Sequence, residues 1–544
     1  MFTPSHSQLP AGQLNRSSIT LNGVSFRWPD GTTALDSVSG SVSFGRTGLV
    51  GANGSGKSTL LRLIAGLLTP SAGSVTTAGD VSYLSQTLAL DSESTVATLL
   101  GVAEKLAALR AIESGDVAEH NFDVLGDDWD IETSAAEALR SIGLSITDLE
   151  RRVSEISGGE AMLCALAGIR LRRAPITLLD EPSNNLDRGA RARLRELVRD
   201  WPGTLLVVSH DVELLECMDA TAELYSGTLS VFGGPYSAWR EHQQVQNAAI
   251  AQSVRSAEQR LRAEKRQRVE AETTLARRAR TAQKSYENRS AAKIVMNQKA
   301  SNAQVSAAKL RGGAADRVDS AQSALDAAEL RLRNDESIHL ELPDPEVPRS
   351  KRIAEIVGTG DEGTVYLQGA ERIALVGANG VGKTTLLEQM VWGTEAQSDA
   401  AHGTLFTERV GYLNQRLDNV DPDATSVENV RVAAPSVPPG EIRNRLARLL
   451  LRGDTVNRAV HTLSGGERFR VALARLLFAD PPPQLLVLDE PTNNLDLPSV
   501  DQLVTALRSY RGALMVVSHD DAFLARLGLD RVIELGADGS LRES

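Results

Sequence analysis

Cysteine is scarce in this sequence: Cys164 and Cys217 are the only two among 544 residues. Both stand among apolar residues, without CxxC spacing and without a nearby histidine cluster. This argues against a disulfide framework, a zinc hook or another cysteine-based metal site. We expect both to be buried small residues.

Long apolar runs are also absent. No stretch approaches the 18 or more apolar residues that a membrane-spanning helix needs. The opening segment MFTPSHSQLPAGQLNRSS lacks the basic start and apolar block of a signal peptide. We therefore expect a cytoplasmic protein.

The chain is long enough for about three or four domains, and 42% hydrophobic with 24% charged residues is an ordinary globular mixture. Its net charge is -12, but this charge is unevenly distributed. Between Val254 and Val318 there are 16 Lys or Arg against 6 Asp or Glu, a net of +10, which leaves -22 for the rest. One segment is thus opposite in charge to the remainder.

Several motifs occur twice, in the same order in each copy. They are GANGSGKST (51–59) and GANGVGKTT (377–385), YLSQ (83–86) and YLNQ (412–415), ISGGE (156–160) and LSGGE (463–467), TLLDEPSNNLD (177–187) and LVLDEPTNNLD (486–496), and VVSHD (207–211) and VVSHD (516–520). Short apolar runs such as TLLD and LLVLD are typical of buried parallel strands, so each copy reads as an α/β nucleotide-binding domain.

The spacings indicate one module written twice. From the glutamate after LLD or VLD to the histidine of VVSHD the distance is 29 residues in both copies, Glu181 to His210 and Glu490 to His519. From Gln86 to Ser157 it is 71 residues, whereas the equivalent stretch of the second copy is 49. The first copy therefore has about 22 extra residues, in a stretch that reads mostly helical, and we expect a short helical insertion at about 98–145.

The GxxxxGK[ST] loops predict phosphate binding. Their glycines let successive backbone N–H groups surround phosphate oxygens at the start of a helix, while the lysine reaches the β and γ phosphates. The predicted ATP-binding residues of these loops are Gly51, Asn53, Gly54, Gly56, Lys57, Ser58 and Thr59 in the first copy, and Gly377, Asn379, Gly380, Gly382, Lys383, Thr384 and Thr385 in the second.

Carboxylates at two apolar strand ends predict metal binding and hydrolysis. Asp180 and Asp489 would hold the Mg2+ shell, and the adjacent Glu181 and Glu490 would polarise the attacking water. The alternative, a solvated acidic strand end, explains neither the Pro nor the NNLD that follows both. The full predicted metal set is Ser58, Gln86 and Asp180, with Thr384, Gln415 and Asp489.

Two further motifs are expected at the γ phosphate. His210 and His519 would hydrogen-bond it, a role that their matched register favours over that of ordinary core histidines. SGGE reads either as a flexible turn or as a backbone nest that caps a phosphate, and the helix that follows favours the nest. These residues are Ser157, Gly158, Gly159 and Glu160, and Ser464, Gly465, Gly466 and Glu467.

Together the motifs resemble those of the ATP-binding cassette superfamily, and SGGE with EPxNNLD is similar to the soluble ABC-F proteins. The resemblance implies two P-loop NTPase ABC domains of α/β fold, joined by a long antiparallel α-helical hairpin linker. It further implies head-to-tail closure on two ATP molecules, with Lys57 facing Ser464 and Lys383 facing Ser157.

The intervening segment, about 240–337, reads as two helices. Val254 and Leu261 in one, and Val318, Leu325 and Leu332 in the other, repeat at sevens as in a helical pair. Its basic residues form either a solvated helix face or a reader of the RNA backbone. The predicted RNA-binding residues are Arg277, Arg278, Arg280, Lys284, Arg289, Lys293 and Lys299.

The two copies also differ. Leu163 and Gly168 stand after the first SGGE where the second copy has Arg470 and Arg475, so the two ATP sites are expected to turn over unequally. Trp28 is the candidate for stacking on the adenine base, with a place in the core as the alternative. The predicted domains are a tail (1–18), a first ABC domain (19–238), the basic linker (239–340) and a second ABC domain (341–544).

The resemblance implies a monomeric ATPase that binds the ribosome at its E site, approaches the P-site tRNA and the peptidyl transferase centre, and leaves on hydrolysis. Its role would be either protection against antibiotics or regulation of translation. The ATP-binding subunit of a membrane transporter is the main rival hypothesis, although a charged hairpin between complete cassettes argues against it. A DNA-repair ATPase is a further rival, but its coils would interrupt a single cassette.

Overall fold

The computed structural model describes residues 17–86, 94–144, 148–287, 293–329, 342–359, 363–393, 400–414, 417, 419–493 and 495–543. The chain divides into two compact units, one formed by Met1–Ser237 with Ser337–Ser544 and the other by Ala238–Glu336. Both motif copies belong to the first unit, and the basic segment belongs to the second.

The first copy alternates strands with helices. Its described strands are β1 (Ser17–Arg27), β2 (Thr33–Ser43), β3 (Gly45–Val50), β4 (Ala72–Thr77), β5 (Val81–Leu84), β6 (Ile176–Asp180), β7 (Thr204–Val208), β8 (Ala220–Tyr225) and β9 (Thr228–Phe232). Its described helices are α1 (Lys57–Ile64), α2 (Val96–Leu100), α3 (Ala103–Glu113), α4 (Glu119–Leu125), α5 (Ile131–Ser141), α6 (Gly158–Leu171), α7 (Arg188–Arg199) and α8 (Val212–Leu215).

Two long helices, α9 (Tyr236–Glu287) and α10 (Lys293–Glu329), follow. The second copy then repeats the α/β order. Its described strands are β10 (Arg352–Val357), β11 (Thr364–Gln368), β12 (Arg372–Val376), β13 (His402–Leu405), β14 (Val410–Leu413), β15 (Leu485–Asp489), β16 (Ala513–Val517), β17 (Arg531–Leu535) and β18 (Leu541–Glu543). Its described helices are α11 (Lys383–Trp392), α12 (Ser426–Ala433), α13 (Pro439–Arg448), α14 (Gly465–Leu477), α15 (Leu497–Ser509) and α16 (Asp521–Arg526).

Each copy is built on one main sheet of the same strand order. In the described residues the first is β5-β6-β7-β3-β8-β9 and the second is β14-β15-β16-β12-β17-β18. The strands from β5 to β8 pair in parallel, as do those from β14 to β17, and only β9 and β18 run antiparallel. Smaller antiparallel sheets, β2-β1-β4 and β11-β10-β13, complete the copies.

The central strands are buried on both faces, as their continuous apolar sequences predict. Every residue of β6, β7, β15 and β16 is buried. Alternate residues of β6 enter different cores, since Leu178 packs with the residues around α1 and Leu179 with those around α6. The fold class predicted from the sequence is confirmed.

The region of the extra residues in the first copy is helical. It contains α3, α4 and α5, whose buried residues Leu106, Leu125 and Leu139 share one core with α6. Helix α2 lies against α6, and a Cβ added to Gly168 would lie 2.4 Å from the backbone oxygen of Leu100. Gly168 therefore replaces an arginine because α2 leaves no room for a side chain.

The second unit contains the predicted helical pair. Leu261 of α9 and Val318 and Leu325 of α10 are buried together, with Val254 partly buried against them. Arg317 Nε donates to Glu264 Oε2 over 3.2 Å between the two helices. The predicted seam residue Leu332 lies outside the described residues.

No helix among the described residues has the length and apolar character needed to cross a bilayer. Cys164 is buried as expected, whereas Cys217 is only partly buried, which corrects that half of the expectation; both are free thiols.

The packing of α2 on α6 gives a first prediction. Gly168→Ala should lower the free energy of unfolding by about 1–3 kcal/mol, because the new methyl group must displace the Leu100 backbone. Arg475→Ala, at the matching position of α14, is the control and should change stability much less. Chemical denaturation of the two variants measures both values, and equal effects would contradict the packing explanation.

Candidate nucleotide-binding sites

The predicted site residues lie at one edge of each main sheet. In the first sheet Gln86 follows β5, Asp180 ends β6 with Glu181 directly after it, His210 follows β7 and Lys57 follows β3. These four strands are consecutive neighbours and all parallel, so their carboxyl ends converge at one edge. The order of the motifs along the chain does not reveal this adjacency.

The phosphate loops have the conformation that the glycines predict. Gly56 and Gly382 precede the helices α1 and α11 at φ 93° and 96°, a left-handed conformation in which a Cβ is unfavourable. At Gly56 a Cβ would also lie 2.7 Å from the Ala34 carbonyl oxygen. The helix N-termini that follow leave backbone N–H groups free for phosphate oxygens.

The two loop lysines are buried, each 7% exposed. Lys57 Nζ donates to the carbonyl oxygens of Gly51 (2.7 Å) and Ala52 (3.0 Å). Lys383 Nζ donates to those of Gly377 and Ala378, both over 2.9 Å. Burial lowers the pKa of both ammonium groups. Each lysine is thus held over its loop, with its charge directed at the site.

The other loop residues differ in exposure. Gly54 and Gly380, both at φ 80°, have open space around the position of a Cβ. Thr59 is buried, whereas Thr384 and Thr385 are exposed and line a cavity with Lys383.

Hydroxyl and carboxylate oxygens lie together where the metal is predicted. Ser58 Oγ donates to Asp180 Oδ1 over 3.0 Å, and Tyr83 OH donates to Asp180 Oδ2 over 3.2 Å. In the second copy both carboxylate oxygens of Asp489 are buried and have no hydrogen-bond partner at bonding distance among the described residues. Hydroxyl and carboxylate oxygens are the ligands that Mg2+ prefers, so these residues fit the ion.

One of the two glutamines predicted to bind the metal lies among the described residues. Gln86 is exposed at the turn after β5. Gln415 lies outside the described residues.

Burial raises the pKa of both metal-site aspartates, an effect opposed at Asp180 by Ser58 and at Asp489 by the nearby Thr384 hydroxyl. Desolvation thus disfavours their ionised forms, and a bound cation would reverse this.

Glu181 and Glu490 have positive φ angles of 51° and 46°, which are rare for residues other than glycine. Their backbone N–H groups donate to the carbonyl oxygens of Val208 and Val517, both over 2.9 Å, so the neighbouring strand fixes this turn. Burial raises the pKa of Glu181 above its ordinary value and that of Glu490 to about 7. This backbone strain is not visible in the sequence, and it is typical of functional turns.

The histidines contact the glutamates. His210 Nε2 lies 3.1 Å from Glu181 Oε1, and His519 Nε2 lies 3.4 Å from Glu490 Oε1. His519 Nε2 also lies 3.3 Å from Lys383 Nζ. Burial lowers the pKa of His210, and lowers that of His519 to about 4, so both rings are neutral at pH 7. A neutral imidazole has one donor and one acceptor nitrogen, so beside the glutamate it can form hydrogen bonds with a phosphate or a water.

The SGGE turns begin helices. Ser157 and Ser464 cap α6 and α14 by accepting from the backbone N–H of Glu160 (3.2 Å) and Glu467 (3.3 Å). The carboxylate of each glutamate in turn accepts from the serine N–H, over 2.8 Å in both copies. These capping boxes give both glutamates a local structural role. Their contact with nucleotide stays a prediction.

The glycines of these turns leave the helix N-termini open. Gly158 and Gly465 are exposed first residues of α6 and α14, with no atom within 4 Å of an added Cβ. Gly159 and Gly466 follow and are buried. Backbone N–H groups are accessible at such a terminus, as the predicted phosphate nest requires.

The NNLD segments bring residues of the two copies together. The backbone N–H of Asn53 donates to Asp496 Oδ2 over 2.7 Å, and Asn379 Nδ2 donates to the Asn185 carbonyl oxygen over 2.9 Å. Asp496 Oδ1 at the same time accepts from Ser499 N (2.9 Å) and caps α15. The exact repetition of NNLD was a signal for this contact, but the sequence did not indicate its partner.

Several cavities among the described residues combine both copies, and two of them adjoin the predicted sites. One of about 240 Å³ is lined by Ser157, Glu160 and Asp187 together with Asn379. The other, of about 320 Å³, is lined by Lys383, Thr384, Glu490 and His519 together with Asn185 and Leu186. The SGGE turn of the first copy thus shares a cavity with the phosphate loop of the second, in agreement with the predicted pairing of Ser157 with the Lys383 site.

Trp28 lies directly after β1 and is half-buried. Its ring meets Phe26 edge to face at a centroid distance of 5.0 Å, and it packs against the core around α1. This packing accounts for the residue without a ligand, so its contact with the adenine base stays a prediction.

The buried glutamates give a second prediction. Glu181→Gln and Glu490→Gln should each abolish hydrolysis at the site that contains the change, with a loss of about 100-fold or more, since an amide cannot take a proton from the attacking water. ATP binding should persist, because the lysine and the glycine loop are unchanged. Single-turnover hydrolysis and equilibrium binding of a fluorescent ATP analogue separate the two steps. Loss of binding together with hydrolysis would contradict this assignment.

Comparison with known proteins places these sites in a family. The family described as "ABC transporter" matches residues 35–184 and 361–493, which include both phosphate loops and both carboxylate pairs. The chain is 31% identical to the tylosin resistance ATP-binding protein TlrC of Streptomyces fradiae, covering 94% of this chain and 96% of that protein. It is 28% identical to ABC transporter F family member 5 of Arabidopsis thaliana, covering 94% and 74%.

A solved structure agrees in fold. The RNase-L Inhibitor structure superposes with a TM-score of 0.54 at 19% identity, covering 96% of this chain and 90% of that one. The repeated motifs, the strand order and these relatives lead to the same assignment. The chain belongs to the ABC-F family and is a tandem ATP-binding cassette ATPase.

Proposed function

We propose that this ATPase works in the cytoplasm as a monomer that binds the ribosome when ATP closes its two cassettes. The linker helices enter the E site and approach the P-site tRNA and the peptidyl transferase centre. Hydrolysis opens the cassettes and releases the protein. ATP thereby controls how long the linker stays in place.

The observation that carries this proposal is the charge of the linker. From Thr273 to Arg311 it contains nine Lys or Arg and a single acid. Arg277, Arg278, Arg280 and Lys284 are exposed on α9. Lys293 and Lys299 lie on α10, and Arg289 lies outside the described residues. A long helical pair with this charge fits the phosphate backbone of RNA.

The charge on the remainder of the chain also favours RNA binding through the linker. Outside Val254–Val318 the net charge is -22, so RNA repels most of the protein while it attracts the linker. Opposite charges on two parts of one molecule orient it during approach. A protein of uniform charge would lack this orientation.

The site residues take the roles that their positions favour. Ser58 and Asp180, and Thr384 and Asp489, hold Mg2+, with Gln86 and Gln415 completing the shell. When bound, Mg2+ neutralises charge on the phosphates during transfer. Lys57 and Lys383 orient the β and γ phosphates. Glu181 and Glu490 polarise the attacking water, His210 and His519 contact the γ phosphate, and Trp28 stacks on the base at the first site.

A role in antibiotic resistance has support from TlrC, whose name describes tylosin resistance and whose length this chain almost fully matches. We propose that the linker protects the ribosome from drugs bound near the peptidyl transferase centre. Regulation of translation is the other role open to such a protein. The two roles differ in whether a drug is needed to observe an effect.

A third prediction tests ribosome binding. The double variant Glu181→Gln, Glu490→Gln should pellet with 70S ribosomes through sucrose in ATP, because it binds nucleotide but stays closed. The same variant with Arg277→Glu, Arg278→Glu and Arg280→Glu should remain in the supernatant at physiological salt. The loss should exceed that caused by three reversals nearer the first cassette on the same helix, Arg255→Glu, Arg260→Glu and Arg266→Glu.

Three results would contradict this prediction or its explanation. If the closed variant fails to pellet with ribosomes, the ribosome proposal is wrong. If it floats with membrane vesicles instead, the transporter hypothesis replaces it. Equal losses in the two reversed variants would mean that total charge, and not the position of Arg277–Arg280, determines binding.

A fourth prediction separates the two roles. In a reconstituted translation system inhibited by tylosin, the wild-type protein with ATP should restore synthesis, whereas the variant with Arg277→Glu, Arg278→Glu and Arg280→Glu should not. Without tylosin the wild type should leave the rate nearly unchanged. A change in the rate without the drug, and no rescue with it, would favour regulation of translation.

A further inference from the structure

The helix after NNLD differs between the two cassettes. In the first, α7 reads RGARARLRELVR, whereas in the second, α15 reads LPSVDQLVTALRS. Counting from Asp187 and Asp496, Arg191 corresponds to Val500. The motifs do not account for this difference, because NNLD itself is identical in both copies.

Arg191 of the first cassette reaches the second ATP site. Its side chain lines the cavity of about 320 Å³ that also contains Lys383, Glu490 and His519. Only 11% of this side chain is exposed. A buried guanidinium is costly unless it is paired, so its partners are informative.

Those partners belong to the first cassette. Arg191 Nε donates to the Leu186 carbonyl oxygen over 3.1 Å, and Nη1 lies 3.6 Å from Asp211 Oδ2. Asp211 is 7% exposed and caps α8 by accepting from Leu214 N over 3.1 Å. It follows His210 directly, so Arg191 connects the cavity of the second site with the histidine loop of the first.

The first site lacks an equivalent. Val500 is 7% exposed and apolar, and the residue of the second cassette that reaches the Lys57 loop is Asp496. Both sites receive a carboxylate across the interface, since Asp187 Oδ2 accepts from Asn379 N over 3.4 Å as Asp496 Oδ2 does from Asn53 N. The second site additionally receives the positive charge of Arg191, whereas the matching residue of the other cassette is Val500. A positive charge at Arg191, with an apolar valine at the matching position, must affect the two reactions differently.

We propose that Arg191 is a positioning residue of the second ATP site, which holds the Glu490–His519 pair in place from the opposite cassette. Its contact with Asp211 joins that pair to the loop that carries His210. Hydrolysis at the Lys383 site consequently depends on Arg191, and hydrolysis at the Lys57 site does not. The first cassette has Leu163 where the second has Arg470, and Arg191 supplies an arginine from a different helix.

The test isolates each site. In a Glu181→Gln background only the second site hydrolyses ATP, and in a Glu490→Gln background only the first does. Adding Arg191→Val, which copies Val500, should lower single-turnover hydrolysis about tenfold or more in the first background and less than about twofold in the second. ATP affinity should stay within about threefold in both, since Arg191 acts on Glu490 and His519 and not on the phosphate loop.

Two further variants distinguish positioning from a structural role. Arg191→Lys keeps the charge but cannot make both contacts in a planar fork, so it should restore only part of the rate. Arg195→Ala removes an arginine one turn further along α7 that pairs with Glu213 at 2.5 Å, and should leave both backgrounds nearly unchanged. Thermal melting of every variant shows whether the interface itself has been weakened.

The proposal is overturned if Arg191→Val slows both backgrounds equally, if its rate loss matches that of Arg195→Ala, or if full activity remains in the Glu181→Gln background. Should Arg191→Val fail to fold, Arg191→Gln gives the same comparison with a side chain of similar length. None of these measurements requires ribosomes, so their outcome is independent of the proposed cellular function.

Discussion

A buried lysine facing two buried carboxylates is the arrangement on which both ATP sites depend. Lys57 and Lys383 are removed from water, and Asp180 and Asp489 are each 1% exposed. Backbone carbonyl oxygens satisfy only part of each ammonium group. Charges buried in this way destabilise a fold unless a ligand of the right charge completes them. A triphosphate with its cation does so, and the rest of the cassette serves to hold these groups in place beforehand.

The parallel sheet keeps the charges apart and oriented. Because β7 lies between β6 and β3, the carboxylate pair and the lysine loop are two strands apart, and the histidine after β7 lies between them. The positive φ of Glu181 and Glu490 directs their side chains to this edge, and the bond to the Val208 or Val517 carbonyl oxygen maintains it. Strained turns of this kind persist only where neighbouring elements fix them.

The cassettes contact each other through residues of the phosphate loops and of the NNLD segments. One oxygen of Asp496 caps α15 and the other accepts from Asn53 in the opposite phosphate loop. A rearrangement of the loop around phosphate therefore changes a bond across the interface.

Much of this arrangement could be predicted from the sequence, because phosphate loops, buried parallel strands and carboxylates at strand ends follow local rules. The helical pair was equally predictable from Leu261, Val318 and Leu325, since heptad spacing determines which residues meet. What escaped prediction depends on elements distant in the chain. The bond from Asn53 N to Asp496 and the partial exposure of Cys217 both depend on tertiary packing. Glu160 and Glu467 form capping boxes with serines three residues away, and their contact with nucleotide stays a prediction.

The differences between the two copies have separate structural causes. Gly168 is small because α2 lies against it, so packing explains the absence of an arginine there without any reference to the chemistry of ATP. Arg191 has no such packing reason, since Val500 fills the matching position with an apolar side chain. A duplicated module keeps identical residues where its own ligand binds. It can diverge where the facing residue belongs to the other copy, because there each substitution affects only one of the two sites.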